Sequence, residues 1–263
     1  MESSVELPMY RNCVLKYMGK LSVSMFKLLH LYKEKFTCPI CNYQGPFKDV
    51  SPDTGVRRHA ACPKCGALER HRLQYVVLND LSKNFDFSQM SILHMAPEPF
   101  FQNMFQNVFK KYISADLRTK NVNFQVDILN LPFNSNSFDF VFASHVLEHI
   151  KNDDGALSEI QRILKPKGIA ILPVPLIVNE TIEYPEPSPC EAFHVRCPGY
   201  NYYDKYSKYF NSVEKFGSND FPKKYQLFIY EDRTNWSKDK MPLRGTMDGL
   251  KHIDIVPVCY NKI

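Results

Sequence analysis

The sequence predicts an α/β domain built on a mostly parallel sheet. Three observations carry that prediction. Between residues 67 and 175, short apolar runs alternate with segments of helical periodicity, the pattern of βαβ units. Two of the predicted strands end on aspartates, Asp116 and Asp127, in chain order. The 263 residues are 44% hydrophobic and 13% aromatic, enough to fill the core of one large domain, or of a medium domain with a small appendage.

The elements follow in order. Residues 8–36 read as one or two basic amphipathic helices, with Val14, Leu15, Met18, Leu21, Met25, Leu28 and Leu29 near helical spacing and Gly19 as a break. This segment serves as a packing helix, a lid or a membrane-surface helix. Residues 37–66 are turn-rich and carry paired cysteines. "GALERHRLQYVVLNDL" (66–81) predicts a helix, "MSILHM" (90–95) a strand and "PFFQNMFQNVFKKY" (99–112) a helix. "YISADL" (112–117), "NFQVDI" (123–128) and "FDFVFASHV" (138–146) predict strands. "DDGALSEIQRILK" (153–165) predicts a helix with Asn152 and Asp153 as capping candidates and Gly168 as a stop, and "GIAILPVP" (168–175) the next strand. A Pro-rich, Tyr-rich insertion spans about 176–225, and "QLFIYE" (226–231) and "HIDIVPVCY" (252–260) supply the last strands. The domain division is therefore 1–36, 37–66 and 67–263.

The chain has no apolar run long enough to span a membrane and no signal-peptide pattern, so a cytoplasmic protein is expected. Its eight cysteines then suggest metal or free thiols before disulfides. Net charge is +5 but uneven: residues 1–75 hold 12 Lys/Arg against 6 Asp/Glu, and residues 76–190 hold 9 against 13. That excess is too modest to demand nucleic acid.

Cys38-Pro-Ile-Cys41 and Cys62-Pro-Lys-Cys65 are two C-x2-C knuckles. Each turn aims two thiolates at one ion, and two turns complete the four-thiolate shell of a structural Zn²⁺. Gly45 and Gly66 follow the knuckles, where tight turns help. Such a closed shell has no open position, so its expected role is folding a small element rather than catalysis. Cys190 and Cys197 flank His194 at a spacing that matches no ordinary knuckle.

Open parallel sheets bind ligands beyond the carboxyl ends of their strands. Those ends here are His94-Met95-Ala96-Pro97-Glu98, Asp116, Asp127 and Ser144-His145. An acidic residue at the second strand end suits ribose hydroxyls. The first turn lacks the glycines usual at a nucleotide site. Pro97 is expected to fix its backbone without a positive φ.

The run "DILNLPFNSNSFDFVFASHVLEHIKNDDGALSEIQRILKPKGIAILPVP" resembles the class I S-adenosylmethionine-dependent methyltransferases of the type 11 group. "CPKCGALERHRL", "ILHMAPE" and "HVRCPGYNYYD" narrow the resemblance to a bacterial subfamily with an N-terminal zinc-ribbon-like element and an Ala-Pro-Glu turn in place of the glycine-rich loop. The resemblance implies a Rossmann-like sheet with its last strand antiparallel, a zinc-ribbon-like appendage and an insertion acting as a lid. It implies that His94, Ala96, Pro97 and Glu98 occupy the cofactor turn, with the last three bordering the methionine part. By the same resemblance Asp116 holds the ribose with Leu117 beside the adenine, Asp127 and Ile128 meet the adenine edge, and Ser144 and His145 lie beside the sulfonium.

Methyl transfer requires alignment of the acceptor and a base for its proton. His145 is the first candidate base and His194 the second. Arg196 offers a planar fork for an acceptor phosphate or carboxylate. His149 is read as structural, and Glu69 to Arg72 as the seam between ribbon and sheet. The tyrosines of "YNYYDKYSKYF" read as packing in a lid helix or as a stacking surface for a sugar or base. The leading function is methylation of a small-molecule or glycan-type acceptor. An RNA methyltransferase and a non-catalytic methyltransferase-like binding protein are the alternatives.

Overall fold

A computed structural model describes residues 22–52 and 55–262. The predicted helix over 8–36 lies partly outside them; residues 22–29 are helical (α1), with Met25, Leu28 and Leu29 exposed.

The cysteine segment opens with β1 (Phe36–Thr37) and β2 (Gln44–Gly45), paired antiparallel around the first knuckle. β3 (Lys48–Val50) and β4 (Arg57–Ala61) pair next and lead into the second knuckle. The two knuckles share one turn: Asn42 N donates to Cys38 O and Gly66 N to Cys62 O, with Asn42 and Gly66 both at positive φ. Asn42, rather than Gly45, is thus the counterpart of Gly66. Asparagine tolerates this left-handed position better than most side chains.

The sheet domain continues through α2 (Glu69–Leu81), β5 (Ser91–Met95), α3 (Pro99–Val108), β6 (Lys111–Asp116), β7 (Phe124–Gln125), β8 (Phe138–Ala143), α4 (Asp153–Ile163) and β9 (Leu164–Ile171). Then come β10 (Ile182–Ser188), β11 (His194–Cys197), β12 (Ser212–Gly217), β13 (Ile229–Glu231), β14 (Lys251–His252) and β15 (Ile255–Tyr260). Seven strands form the main sheet in the order β12-β15-β9-β8-β5-β6-β7. β15 runs antiparallel to both its neighbours, β9 and β12, while β5 to β9 pair in parallel. The chain leaves β5 toward β6 and β7, then returns to place β8 on the other side. The reversal at β5 opens a crevice at the carboxyl ends of the strands.

Both faces of this sheet are covered. α4 and the 3-10 segment Tyr200–Lys208 pack on one face through Leu157, Ile160, Tyr202, Tyr203 and Tyr206. α2 and α3 pack on the other through Leu73, Val77, Phe101 and Phe105. α4 starts where expected: the Asn152 side chain accepts from Gly155 N at 3.0 Å. Asp153 is instead buried, accepting from Tyr202 Oη at 2.6 Å and Lys205 Nζ at 2.7 Å.

Two expectations change. "QLFIYE" does not join the main sheet: its strand, β13, pairs with β4 of the cysteine segment and with β14, in a four-stranded sheet ordered β14-β13-β4-β3. The strand that completes the main sheet is β12, inside the predicted insertion. The tyrosines of "YNYYDKYSKYF" split by face, with Tyr202, Tyr203 and Tyr206 in the core. Tyr206 Oη donates to Leu172 O and Tyr203 Oη accepts from Val174 N, so these rings pack rather than stack on a ligand.

Arg72 sews the two sheets together. Its buried guanidinium donates to Ala60 O, Ala67 O, Tyr225 O and Gln226 O and lies over the Phe47 ring at 4.5 Å.

Candidate active site

At the carboxyl ends of β5, β6 and β8 lies a cavity of about 290 Å³. Met95, Ala96, Asp116, Leu117, Asp127, Ile128, His145 and His149 line it, and the hairpin between β10 and β11 closes one side with Ala192 and Phe193. Of the residues singled out in the sequence, Ala96, Asp116, Leu117, Asp127, Ile128 and His145 meet there.

β6 delivers Asp116 at its last residue. Asp116 Oδ1 accepts from Arg118 N at 2.7 Å and Thr119 N at 2.6 Å, which fixes the carboxylate and leaves Oδ2 for another donor. Asp127 Oδ1 accepts from Leu129 N at 2.9 Å in the same way. Ile128 is buried beneath and Leu117 is exposed, so the two aspartates sit between an apolar floor and an open rim.

Four residues around the cavity hold a left-handed backbone without being glycine: Ala96 (φ 45), His145 (φ 56), Ala192 (φ 54) and Phe193 (φ 64). Such conformations cost about 1–3 kcal/mol each and persist where the surroundings over-determine them. Pro97 therefore does not spare the first turn a positive φ. Ala96 occupies the position where a glycine would sit free of strain, held by its N–H to Ala115 O at 2.8 Å.

The remaining predicted residues lie elsewhere. His94 is buried on the opposite face of β5, ringed by Phe105, Tyr112 and Phe142, with Nδ1 3.2 Å from Tyr112 Oη. Alternation along the strand explains this: Met95 faces the cavity, so His94 faces away. Pro97 and Glu98 lie outside the cavity lining. Glu98 accepts from Arg70 Nη2 at 2.7 Å and contacts His71 Nε2 at 3.2 Å. Burial opposes its ionisation, but His71 and Arg70 outweigh that and hold the carboxyl at about 2. Ser144 is buried beneath the lining and accepts from Gln74 Nε2 at 2.9 Å, a partner the sequence did not announce.

Arg196 is not available to an acceptor. Its buried guanidinium donates to Leu147 O, Ile150 O, Lys151 O and Glu183 Oε1, and lies 3.3 Å from Asp153. It ties β11 to the turn that carries His145 and His149.

That turn holds the densest electrostatics of the site. Glu148 is 1% exposed, with Oε1 3.4 Å from His145 Nδ1 and 4.0 Å from His149 Nε2. Burial opposes its ionisation, but the contact with His145 and the nearby His149 and His194 outweigh it, and its carboxyl lies below the ordinary range. His194 stacks edge-on against His149 at 4.7 Å between ring centroids. Burial pushes His194 down to about 4, so it is neutral at pH 7. His149, read as structural, lines the cavity. The His-x2-Glu-His spacing could have revealed it, because one turn gathers all three side chains.

Burial also depresses His94, to about 3, against the opposing field of Glu98. Its unfolded value is near 6.5. Between those values the unfolded chain binds a proton that the fold refuses. Stability is therefore full above about pH 6.5 and falls as pH drops toward 3. For His94→Phe this slope disappears. Relative to the variant, the wild type should lose about 2 kcal/mol between pH 6.5 and 5 in denaturant unfolding. Parallel pH profiles would contradict the assignment.

Away from the cavity, Cys38, Cys41, Cys62 and Cys65 bring four sulfurs within 4.8 Å of one another. Cys38 Sγ lies 3.6 Å from Cys65 Sγ, and Cys41 Sγ 3.6 Å from Cys62 Sγ. A tetrahedral ion with metal–sulfur bonds of about 2.3 Å separates its ligands by about 3.8 Å, so the set suits zinc. No described helix is long and apolar enough to cross a membrane.

Residues 100–172 match the family described as "Methyltransferase domain". Together with the sheet order, that match marks residues 100–172 as similar to the methyltransferase domain of class I S-adenosylmethionine-dependent methyltransferases. An uncharacterized protein of Methanocaldococcus jannaschii is 50% identical over 54 residues, 20% of this chain and 22% of that protein. Sterol 24-C-methyltransferase ERG6B of Gibberella zeae is 47% identical over 45 residues, 17% of this chain and 12% of that protein. These matches span less than a quarter of the relatives' own lengths. Among solved structures, an S-adenosylmethionine dependent methyltransferase from Mesorhizobium loti is 9% identical, with a TM-score of 0.47, covering 72% of this chain and 98% of that one.

Proposed function

We propose that this protein transfers a methyl group from S-adenosylmethionine to oxygen or nitrogen of a small-molecule or sugar-type acceptor. One observation carries the reading: Asp116, the last residue of β6, and Asp127, in the loop just past β7, which stops at Gln125 short of the expected strand end, share a single cavity with His145. In this reading Asp116 Oδ2 accepts from the ribose hydroxyls while its Oδ1 stays anchored on backbone amides. Leu117 and Ile128 enclose the adenine, and Asp127 meets its edge. The backbone of Ala96 borders the methionine part. When bound, the cofactor supplies a methyl group already activated as a sulfonium.

The protein's own work is then alignment and proton removal. His145 takes the acceptor proton, and Glu148 orients the ring and offsets its charge, the arrangement of a base held by a carboxylate. His194 stands behind His149 and Arg196 holds the turn in place, so both act on position rather than on the acceptor. A Zn²⁺ held by Cys38, Cys41, Cys62 and Cys65 completes the proposal as a structural ion, in a cytoplasmic, reducing setting.

The test is transfer of labelled methyl from S-adenosylmethionine to pooled hydroxyl- and amine-bearing metabolites and nucleotide sugars, with ribosomal and transfer RNA in parallel. Label should enter the small-molecule pool. His145→Ala should cut turnover by about 10²–10⁴-fold while cofactor affinity holds. Label in RNA alone would move the acceptor to nucleic acid, a reading that gains little from a cavity whose described lining has Arg118 as its one fixed cation. Label in neither pool, with the cofactor bound, would favour the non-catalytic alternative.

A further inference from the structure

Glu148, His149 and His194 form a second cluster of ligating side chains, separate from the four cysteines. One donor atom of each lies within 4.8 Å of the others. They come from two elements: the 3-10 turn Leu147–His149 after β8, and the first residue of β11. Residues 194 and 196 project to the same side of a strand. Arg196 is bonded to three carbonyls of the segment 147–151, so β11 presents His194 to that same turn. These tethers hold the two backbone segments that carry the three side chains against each other.

Two polar atoms in this cluster lack partners. Glu148 Oε2 and His194 Nδ1 are both buried without a hydrogen bond. The ion-pair contacts of Glu148 are with His145 and His149, and neither is a fixed cation. A carboxylate that is 1% exposed, with no Lys or Arg in ion-pair contact among the described residues and one oxygen unsatisfied, is costly to bury. An orphaned imidazole nitrogen within the same few ångströms adds to the cost. A cation bound among the three side chains would neutralise the carboxylate.

We propose that Glu148, His149 and His194 bind a divalent transition-metal ion at the wall of the cavity. Two imidazoles and a carboxylate are the donor set of borderline metals such as Zn²⁺, Fe²⁺ and Co²⁺. Three protein ligands leave coordination positions open, unlike the closed shell of the cysteines. His149 lines the cavity, so those positions adjoin the space where an acceptor binds. A metal there takes an acceptor oxygen as ligand and lowers its pKa, which eases the proton's departure to His145. That role rests on the methyl-transfer reading; the binding of the ion does not.

The test is titration of Co²⁺ into the zinc-loaded protein, followed by calorimetry and by visible absorption. One further ion per chain should bind in the micromolar range. Its spectrum should show ligand-field bands without sulfur-to-cobalt charge transfer, which marks a nitrogen and oxygen site distinct from the thiolates. His149→Ala and His194→Ala should each weaken it by at least the 10- to 100-fold, roughly, that loss of even an outer-shell partner costs. Both variants should keep their zinc, and His194→Ala, outside the cavity lining, should also keep its affinity for S-adenosylhomocysteine. His149 is partly exposed, so its variant folds even if Glu148→Gln does not. No second ion into the millimolar range, thiolate bands on the second ion, or unchanged affinity in both histidine variants would overturn the proposal. Loss of S-adenosylhomocysteine binding in the wild type would count against the methyl-transfer reading alone.

Discussion

Cys38→Ser is expected to release one zinc ion per chain and to unfold more than the ribbon. The cysteine segment has a small core of its own, Phe36, Tyr43 and Phe47, packed around the sulfurs. Structural zinc is worth about 10 kcal/mol or more to isolated elements of this kind. The loss should spread because β4 pairs with β13 and because Arg72 spans Ala60, Ala67 and Gln226. If about 5 kcal/mol of the zinc term reaches the whole fold, Tm falls by about 10–20 °C. Metal analysis and calorimetric melting of the purified variant check this. An unchanged metal content would refute the zinc site, and a lost ion with an unchanged Tm would refute the coupling.

Arg196→Met is the second large effect. The side chain is similar in length, but the change strands the carbonyls of Leu147, Ile150 and Lys151 and removes the charge between Glu183 and Asp153. Breaking a buried ionic network by removing one partner costs about 3–5 kcal/mol. Arg196→Lys should recover only part of it, because an ammonium cannot reproduce the planar fork. Denaturant unfolding of the three proteins gives the ranking: wild type, then Lys, then Met. Wild-type stability in the Met variant, with lost activity, would return Arg196 to the role of an acceptor ligand.

Much of the fold was legible because the central strands declare themselves locally. "SILHM", "YISAD" and "FDFVFA" became β5, β6 and β8, since β-branched and aromatic residues suit a pleated sheet covered on both sides. Partner choice was not legible. "QLFIYE" has the composition of a core strand, yet β13 left the main sheet for β4, a pairing set by long-range contacts. "SVEKFG" was hidden for the opposite reason: β12 is the edge strand beyond β15, and its polar residues conceal it.

At the candidate site, position along the chain was easier to read than direction. Asp116, Asp127 and His145 reach the cavity because strand ends determine where they sit. His94 and Met95 are neighbours with opposite fates, since a strand turns each successive side chain to the other face. Arg196 misled because a buried guanidinium and an acceptor-binding one look alike in sequence. Glu148 was overlooked between two histidines, although its burial organises the turn.

The methyl-transfer reading requires that the cavity beside Asp116 hold the methyl donor despite an Ala-Pro-Glu turn. Calorimetric titration of the zinc-loaded protein with S-adenosylhomocysteine tests it most directly, with Asp116→Ala as the control. The prediction is one site per chain with micromolar affinity, weakened about 100-fold in the variant by loss of charge-assisted hydrogen bonds of about 1.5–3 kcal/mol each. No binding, or equal binding by both proteins, would contradict it.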